Sequence, residues 1–329
     1  MKVQELRQII SSADRVLLEK AFVETYKQLT KSQKEEADVL IQAALSGENA
    51  KTKKKKETVS FEELEMQIIT FIGNAKEGNY FTPNHVIPKS QRPKWRFLVK
   101  GYLKELAKIR ADSEYYERAL KLLSDLYALI CQACQYYLFS TDDPFRSIGW
   151  LQEEFYHLVA TKTFEGGYTR EKIAKMAEMA CTGGLSRNSL HYDQELELIF
   201  LLHTSDVKEI AIEESKKAIQ KRKEKLTSIR NNDYLSFYLE EEINNFCDLI
   251  LMLFLVQAET EQGVKYYFKN CIETQKEIIL YKALEAAELA GSNEQWIEIY
   301  KYGLVKKIKP RESLIREYQD RLKERNEYE

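Results

Sequence analysis

Only 12 glycines and 5 prolines punctuate this chain of 329 residues, where average usage puts one of the two at about every eighth position. Sheets need tight turns, and tight turns lean on Gly, Pro and Asn-Gly pairs. No Asn-Gly or Asp-Gly step occurs anywhere in the sequence. Long stretches of Leu, Ala, Glu, Lys, Gln and Ile fill the space instead, and these residues favour helix. The expected fold is therefore all-α. Short connections between the helical stretches make consecutive helices antiparallel neighbours. The array they imply is solenoid-like but irregular, because no strict repeat period runs through it. Residues 279–290 and 293–304, with Gly291 between them, read as one such helix pair.

Apolar spacing and caps place the individual helices. Residues 14–29 carry Val16, Leu17, Ala21, Phe22, Tyr26 and Leu29 on one stripe. Ser32 with Glu35 reads as a capping box opening a helix to Leu45, stopped at Gly47. Residues 47–58 (GENAKTKKKKET) hold no large apolar side chain and read as a solvated linker. This predicts a helical appendage over 1–46, a lysine-rich linker over 47–58 and a main helical domain over 59–329. Ser60 with Glu63 opens the main domain. Pro83, Pro88 and Pro93 then exclude a continuous helix. Helices are expected over 115–139, from Asp143-Pro144 to Gly166, and over 169–182, 190–203, 206–229, 233–260, 263–289, 293–305 and 311–327. The run Leu249–Val256 (LILMLFLV) is apolar on every side. A helix apolar all round is buried all round, which puts 233–260 at the centre.

Composition excludes several classes of function. A formal net charge of −2 supplies no global field for nucleic acid or membrane. The N-terminus MKVQELRQII has no signal-peptide core, and eight apolar residues fall short of the roughly 20 needed to cross a bilayer. A soluble, cytoplasmic protein with no membrane contact is expected. Five sparse cysteines do not form a disulfide framework and read as reduced core residues.

Chemistry-bearing constellations are few. Cys131 and Cys134 have redox or zinc spacing but sit in mid-helix without a second ligand pair. Glu154 and His157 share a helix face at i, i+3, the spacing of di-iron bundles, yet only one copy of the motif is present. There is no G-x-S-x-G elbow and no phosphate-binding glycine loop. No catalytic set, and so no enzyme, is expected, nor any cofactor.

Basic residues supply the remaining signal. Lys89, Arg92, Lys94, Arg96, Lys100 and Lys104 interleave with Trp95, Phe97 and Tyr102. Cations neutralise phosphates and flat rings stack on bases, so residues 89–110 are a candidate nucleic-acid surface. Secondary candidates are Lys221 and Arg222 within the basic stretch 216–230, the run Lys53–Lys56, and Asn84 and His85 in the proline-rich loop. The leading functional expectation is a non-enzymatic helical module that binds another protein. The alternative is a nucleic-acid binder using the basic stripe.

Overall fold

The computed structural model describes residues 3–45, 60–229 and 233–328. Among the described residues there are sixteen α-helices, one short 3-10 turn and no strand. The lysine run 53–56 and the linker 47–58 lie outside the described residues. The chain divides into two compact units between Ser60 and Phe61.

The first unit holds α1 (Val3–Ser12), α2 (Arg15–Lys27) and α3 (Lys31–Leu45). Asp14 caps α2, accepting from the Val16 N–H at 3.1 Å. The cap of α3 falls two residues before the expected Ser32–Glu35 box, where the Thr30 N–H donates to Gln33 Oε1 at 3.0 Å. Helix α2 buries nothing, and its stripe residues Val16, Leu17 and Phe22 are exposed.

The second unit runs through α4 (Phe61–Lys76), α5 (Trp95–Leu106), α6 (Tyr116–Gln135), α7 (Pro144–Ile148), α8 (Gln152–Glu165), α9 (Arg170–Cys181) and α10 (His191–Leu201). It continues with α11 (Ser205–Ser228), α12 (Asp233–Val256), α13 (Thr260–Asn270), α14 (Lys276–Ala290), α15 (Asn293–Val305) and α16 (Glu312–Tyr328). Packing advances along the chain. Helices α4, α5 and α7 lie on α6, α6 on α8, α8 on α9 and α10, and these on α11 and α12. Beyond them α13 and α14 join α12, then α15, then α16. This is the irregular array of helix pairs that the sequence predicts. Helix α12 touches α9, α10, α11, α13 and α14, and Leu249 through Leu255 are all buried. Its apolar circumference is covered because five helices surround it. No helix among the described residues is long and apolar enough to cross a membrane.

Three expected helices are shorter than their apolar patterns suggest, each for a physical reason. The helix expected from Asp143 to Gly166 breaks at Gly149, whose φ of 66° is left-handed and accessible to glycine at little cost. Helix α6 stops at Gln135, because Phe139 turns inward to stack on Trp95 with ring centroids 4.0 Å apart. The helix expected over 263–289 breaks between Asn270 and Lys276, where no Gly or Pro stands. There the Asn244 side chain of α12 grips Ile272, its Oδ1 accepting from the backbone N–H at 2.7 Å and its Nδ2 donating to the carbonyl at 2.8 Å. A side-chain amide thus replaces the helical partners of that residue.

Candidate binding groove

The residues singled out by sequence fall into three groups. Lys89, Lys94, Arg96, Lys100, Lys104 and His85 are exposed, so the charged stripe is real. Its aromatic companions are not on it. Trp95 is only 4% exposed and Tyr102 8%, both in the core with Phe139 and Phe71 around them. Trp95 is therefore a packing residue, and of the interleaved rings Phe97 alone faces solvent.

Arg92 and Asn84 are likewise turned to structural use. Asn84 Oδ1 accepts from the N–H groups of Val86 and Ile87 at 2.9 and 2.8 Å, and its Nδ2 donates to the carbonyls of Asn79 and Thr82. Arg92 donates to the carbonyls of Ile87 and Asn84, each at 3.1 Å. Together they fold the proline-rich loop onto itself, satisfying backbone groups that no helix serves.

The second basic stretch turns inward as well. Arg222 is buried between Glu178 and Glu242, at 2.5 and 2.7 Å, with its guanidinium over Phe246. It holds α9, α11 and α12 together and is not a surface binder. Lys216 lies over Phe254 and Tyr266 and Lys223 donates to Asn270, while Lys221 is exposed. The two described clusters lie in different layers, α5 on α6 and α7, α11 on α9 and α12.

Neither metal candidate forms a ligand set. Glu154 accepts from the Leu151 N–H at 3.0 Å and closes the start of α8. His157 pairs through Nδ1 with Glu197 at 2.6 Å, on an open cleft of about 780 Å³ beside Trp150 and Phe200. No group of three or more His, Cys, Asp and Glu among the described residues has the arrangement to hold a metal ion. Burial pushes the Cys131 thiol well above its ordinary value and the Cys134 thiol up to about 12. Both are packing residues.

The most unusual surface lies where the C-terminus of α6, the 182–190 connection and the N-terminus of α12 meet. Three recesses of about 230, 400 and 620 Å³ follow one another there. The first and second share Cys134, Gln135, Tyr136 and Leu185, and the second and third share Glu241 and Asn245. Large rings stand along this groove, all of them exposed except the partly buried Tyr238. Phe81 stacks on Tyr137 at 5.6 Å, Tyr136 follows, then Tyr238 and Tyr234, then Phe237. Tyr137 is 76% exposed, Tyr234 67% and Phe237 62%, so these are not core residues at the edge of burial.

The groove is rigidly built. Gln152, buried beneath it, donates to the Gly184 carbonyl at 3.1 Å and accepts from the Ser186 N–H at 2.7 Å. Asp143 caps α7 through the Arg146 N–H and accepts from Ser186 Oγ at 2.7 Å. Gly184 presses against the Cys131 carbonyl so closely that a Cβ there would collide with backbone. Gly183, at φ 94°, makes the turn that brings the connection down onto α6. On the α12 side, Asn245 Nδ2 donates to the Cys181 carbonyl at 3.0 Å.

Its electrostatics are one-sided. Asp142, Asp143, Glu240, Glu241, Glu242 and Glu273 line the three recesses, against Arg187 and Lys282. Arg187 already sits 3.7 Å from Asp142. His191 donates through Nδ1–H to the Ala180 carbonyl at 2.9 Å, and burial holds its pKa below the ordinary value, so it adds no positive charge at neutral pH.

A second polar place lies sealed inside. Glu195 is 0% exposed and Asp248 4%. Asp248 accepts from the Tyr267 hydroxyl at 2.7 Å, Glu195 Oε1 faces the Cys181 thiol at 3.8 Å, and Glu195 Oε2 has no hydrogen-bond partner in the protein. Burial raises both carboxyls, Asp248 to about 7 and Glu195 well above its usual range, with the Asp248 charge adding to the latter. No substrate reaches them there, so they bear on stability.

Sequence reasoning missed the groove because its rings come from three separate segments and only exposure distinguishes them. The one local signal was the cluster Tyr234, Phe237, Tyr238 at i, i+3, i+4, a helical apolar patch ahead of the fully buried run. No protein family, curated protein or solved structure matches the chain.

Proposed function

We propose that this protein is a non-enzymatic helical array that binds another protein and holds a segment of it in the aromatic groove. The observation that carries the reading is the line of exposed rings across three joined recesses. Tyrosine and phenylalanine are enriched at protein interfaces, where a few buried aromatics dominate affinity. A contiguous exposed apolar surface of this kind marks an interaction site.

The test is affinity capture with the full chain and with a Tyr136→Ser/Tyr234→Ser/Tyr238→Ser variant. Tyr136 and Tyr234 are more than half exposed and Tyr238 lines the open recess, so the variant keeps its far-UV circular dichroism. The wild-type chain is expected to retain one protein near equimolar amount, and the variant to lose it. Equal retention by both chains, or nothing above background with the wild type, sinks the reading.

A second reading rests on the stripe of α5. Lys94, Arg96, Lys100 and Lys104 are exposed, and none of the four is in an ion pair among the described residues. Like charges at i, i+4 repel unless an anion joins them, which favours a phosphate backbone as partner. Anisotropy with labelled DNA and RNA at low and near-physiological salt tests this. Arg96→Glu/Lys100→Glu is then expected to weaken binding and flatten its salt dependence.

A further inference from the structure

We propose that the middle recess of the groove is a cage for the cationic head of an arginine or lysine side chain presented by the partner protein. The inference rests on the protein-binding reading and specifies the chemistry of the segment that reading places in the groove.

Three phenol rings line this recess of about 400 Å³: Tyr136, Tyr234 and Tyr238. The rings of Tyr234 and Tyr238 stand 4.7 Å apart at 66°, two walls meeting at an angle, with their hydroxyls 3.0 Å apart. Aromatic faces carry negative quadrupole, and a cation within about 6 Å of the ring is attracted to them. Glu241 is exposed on the same recess, and Glu242 lies beside it with its carboxylate engaged by Arg222. Among the described residues no lysine or arginine lines the recess.

The rest of the molecule shows what this chain does with its own cations. Arg222 lies over Phe246, Arg321 over Trp296, Lys216 over Phe254 and Tyr266, and Arg118 over Phe61 and Tyr115. Among the described residues no cation of the chain is seated on Tyr136, Tyr234 or Tyr238. An aromatic recess with a carboxylate on its rim and no internal cation is complementary to an external one. It is wrongly charged for phosphate, and its Tyr136 and Tyr234 rings are too widely exposed for a packing role. The hydroxyl bond between Tyr234 and Tyr238 and the Asn245 anchor to Cys181 hold the walls before the ligand arrives, which spares the ordering cost of binding.

The experiment uses the full chain with ¹³C-labelled tyrosine, its resonances assigned through Tyr136→Phe, Tyr234→Phe and Tyr238→Phe. The probe is a neutral-capped pentapeptide, Gly-Gly-Arg-Gly-Gly, with versions carrying lysine, citrulline or norleucine at the centre. The arginine and lysine peptides are expected to shift the three ring signals at millimolar concentration. Citrulline and norleucine, which keep the length but lose the charge, are expected to bind at least about tenfold more weakly. Glu241→Gln should weaken the arginine peptide severalfold. Equal shifts from citrulline, or none from arginine up to about 10 mM, overturn the cage. Capture of a protein partner that depends on the tyrosines, without any arginine-induced shift, removes the cage and leaves the protein-binding reading standing. Arginine-induced shifts without such a partner do the reverse.

Discussion

Trp296→Ala is expected to cost about 3–5 kcal/mol of stability, the usual range for emptying a buried tryptophan site. Trp296 is 1% exposed and the largest fully buried side chain among the described residues. It stands nearly parallel to Tyr300 at 5.7 Å, and the guanidinium of Arg321 lies 4.5 Å over its ring. Tyr300 in turn stacks on Tyr318 at 4.1 Å. The stack therefore ties α15 to α16, with Arg321 also paired to Glu288 of α14 and Glu317 of its own helix. Alanine would leave a void and strand the guanidinium over nothing. In a repeat array a local loss is felt first at the nearest interface, so α16 should lose amide-exchange protection before α6 or α12 does. Thermal melting followed by circular dichroism, with exchange measured alongside, checks both parts. A midpoint within 2 °C of wild type, a change of about 1 kcal/mol or less for a unit of this size, would mean that the stack is not a structural tie.

Raising the pH from about 4 toward neutrality should destabilise the second unit, and the cause is the sealed pair Glu195 and Asp248. Ordinary carboxyls titrate near 4. Burial raises Asp248 to about 7 and Glu195 well above its usual range. Below pH 4 both are protonated folded and unfolded, and nothing is lost. Between pH 4 and about 7 the unfolded chain releases the Asp248 proton while the folded chain keeps it, so the folded state binds more protons and stability falls as pH rises. Glu195 extends the fall above that window. Each pK unit corresponds to about 1.4 kcal/mol, so the combined loss amounts to a few kcal/mol. Urea denaturation at pH 5, 6, 7 and 8 measures it. Asp248→Asn keeps an acceptor for the Tyr267 hydroxyl and removes the titration, so its curve should be flatter and lie above wild type at pH 8. Wild-type stability that rises from pH 5 to 7 would show the two carboxyls ionised inside the fold.

What could be read from sequence was what is local. The scarcity of Gly and Pro implies helix whatever the tertiary contacts are, and the all-round apolarity of Leu249–Val256 marks the centre because no solvent-facing side is left. The spacing of Ser292 and Gln295 is that of a capping box, and they close one at the start of α15, the Gln295 N–H donating to Ser292 Oγ at 3.4 Å and the Ser292 N–H to Gln295 Oε1 at 2.9 Å. What could not be read depends on partners distant along the chain. Asn244 unwinds the residues around Ile272 from 28 positions away, and nothing near Ile272 announces it. Trp95 and Arg222 belong to residue types that serve surfaces and interiors alike. Only the proximity of Phe139 in one case, and of Glu178, Glu242 and Phe246 in the other, decides for the interior. Gly149 is a simple helix stop that the flanking apolar periodicity masks. The groove combines both difficulties, since its rings are scattered in sequence and its shape comes from Gly183, Gly184 and Gln152 pressing one connection onto α6.

The order of packing along the second unit has a consequence for how the chain comes off the ribosome. Each helix pair docks mainly on the pair made just before it, so most contacts close over short loops and need no later segment. Helix α12 breaks that rule. Its apolar run is complete at Val256, but α13 and α14, which cover part of it, are finished only at Ala290. At about 5–20 residues per second, the most hydrophobic rod in the nascent chain waits a few seconds for its cover. Until then it is covered only by the helices made before it, α9, α10 and α11.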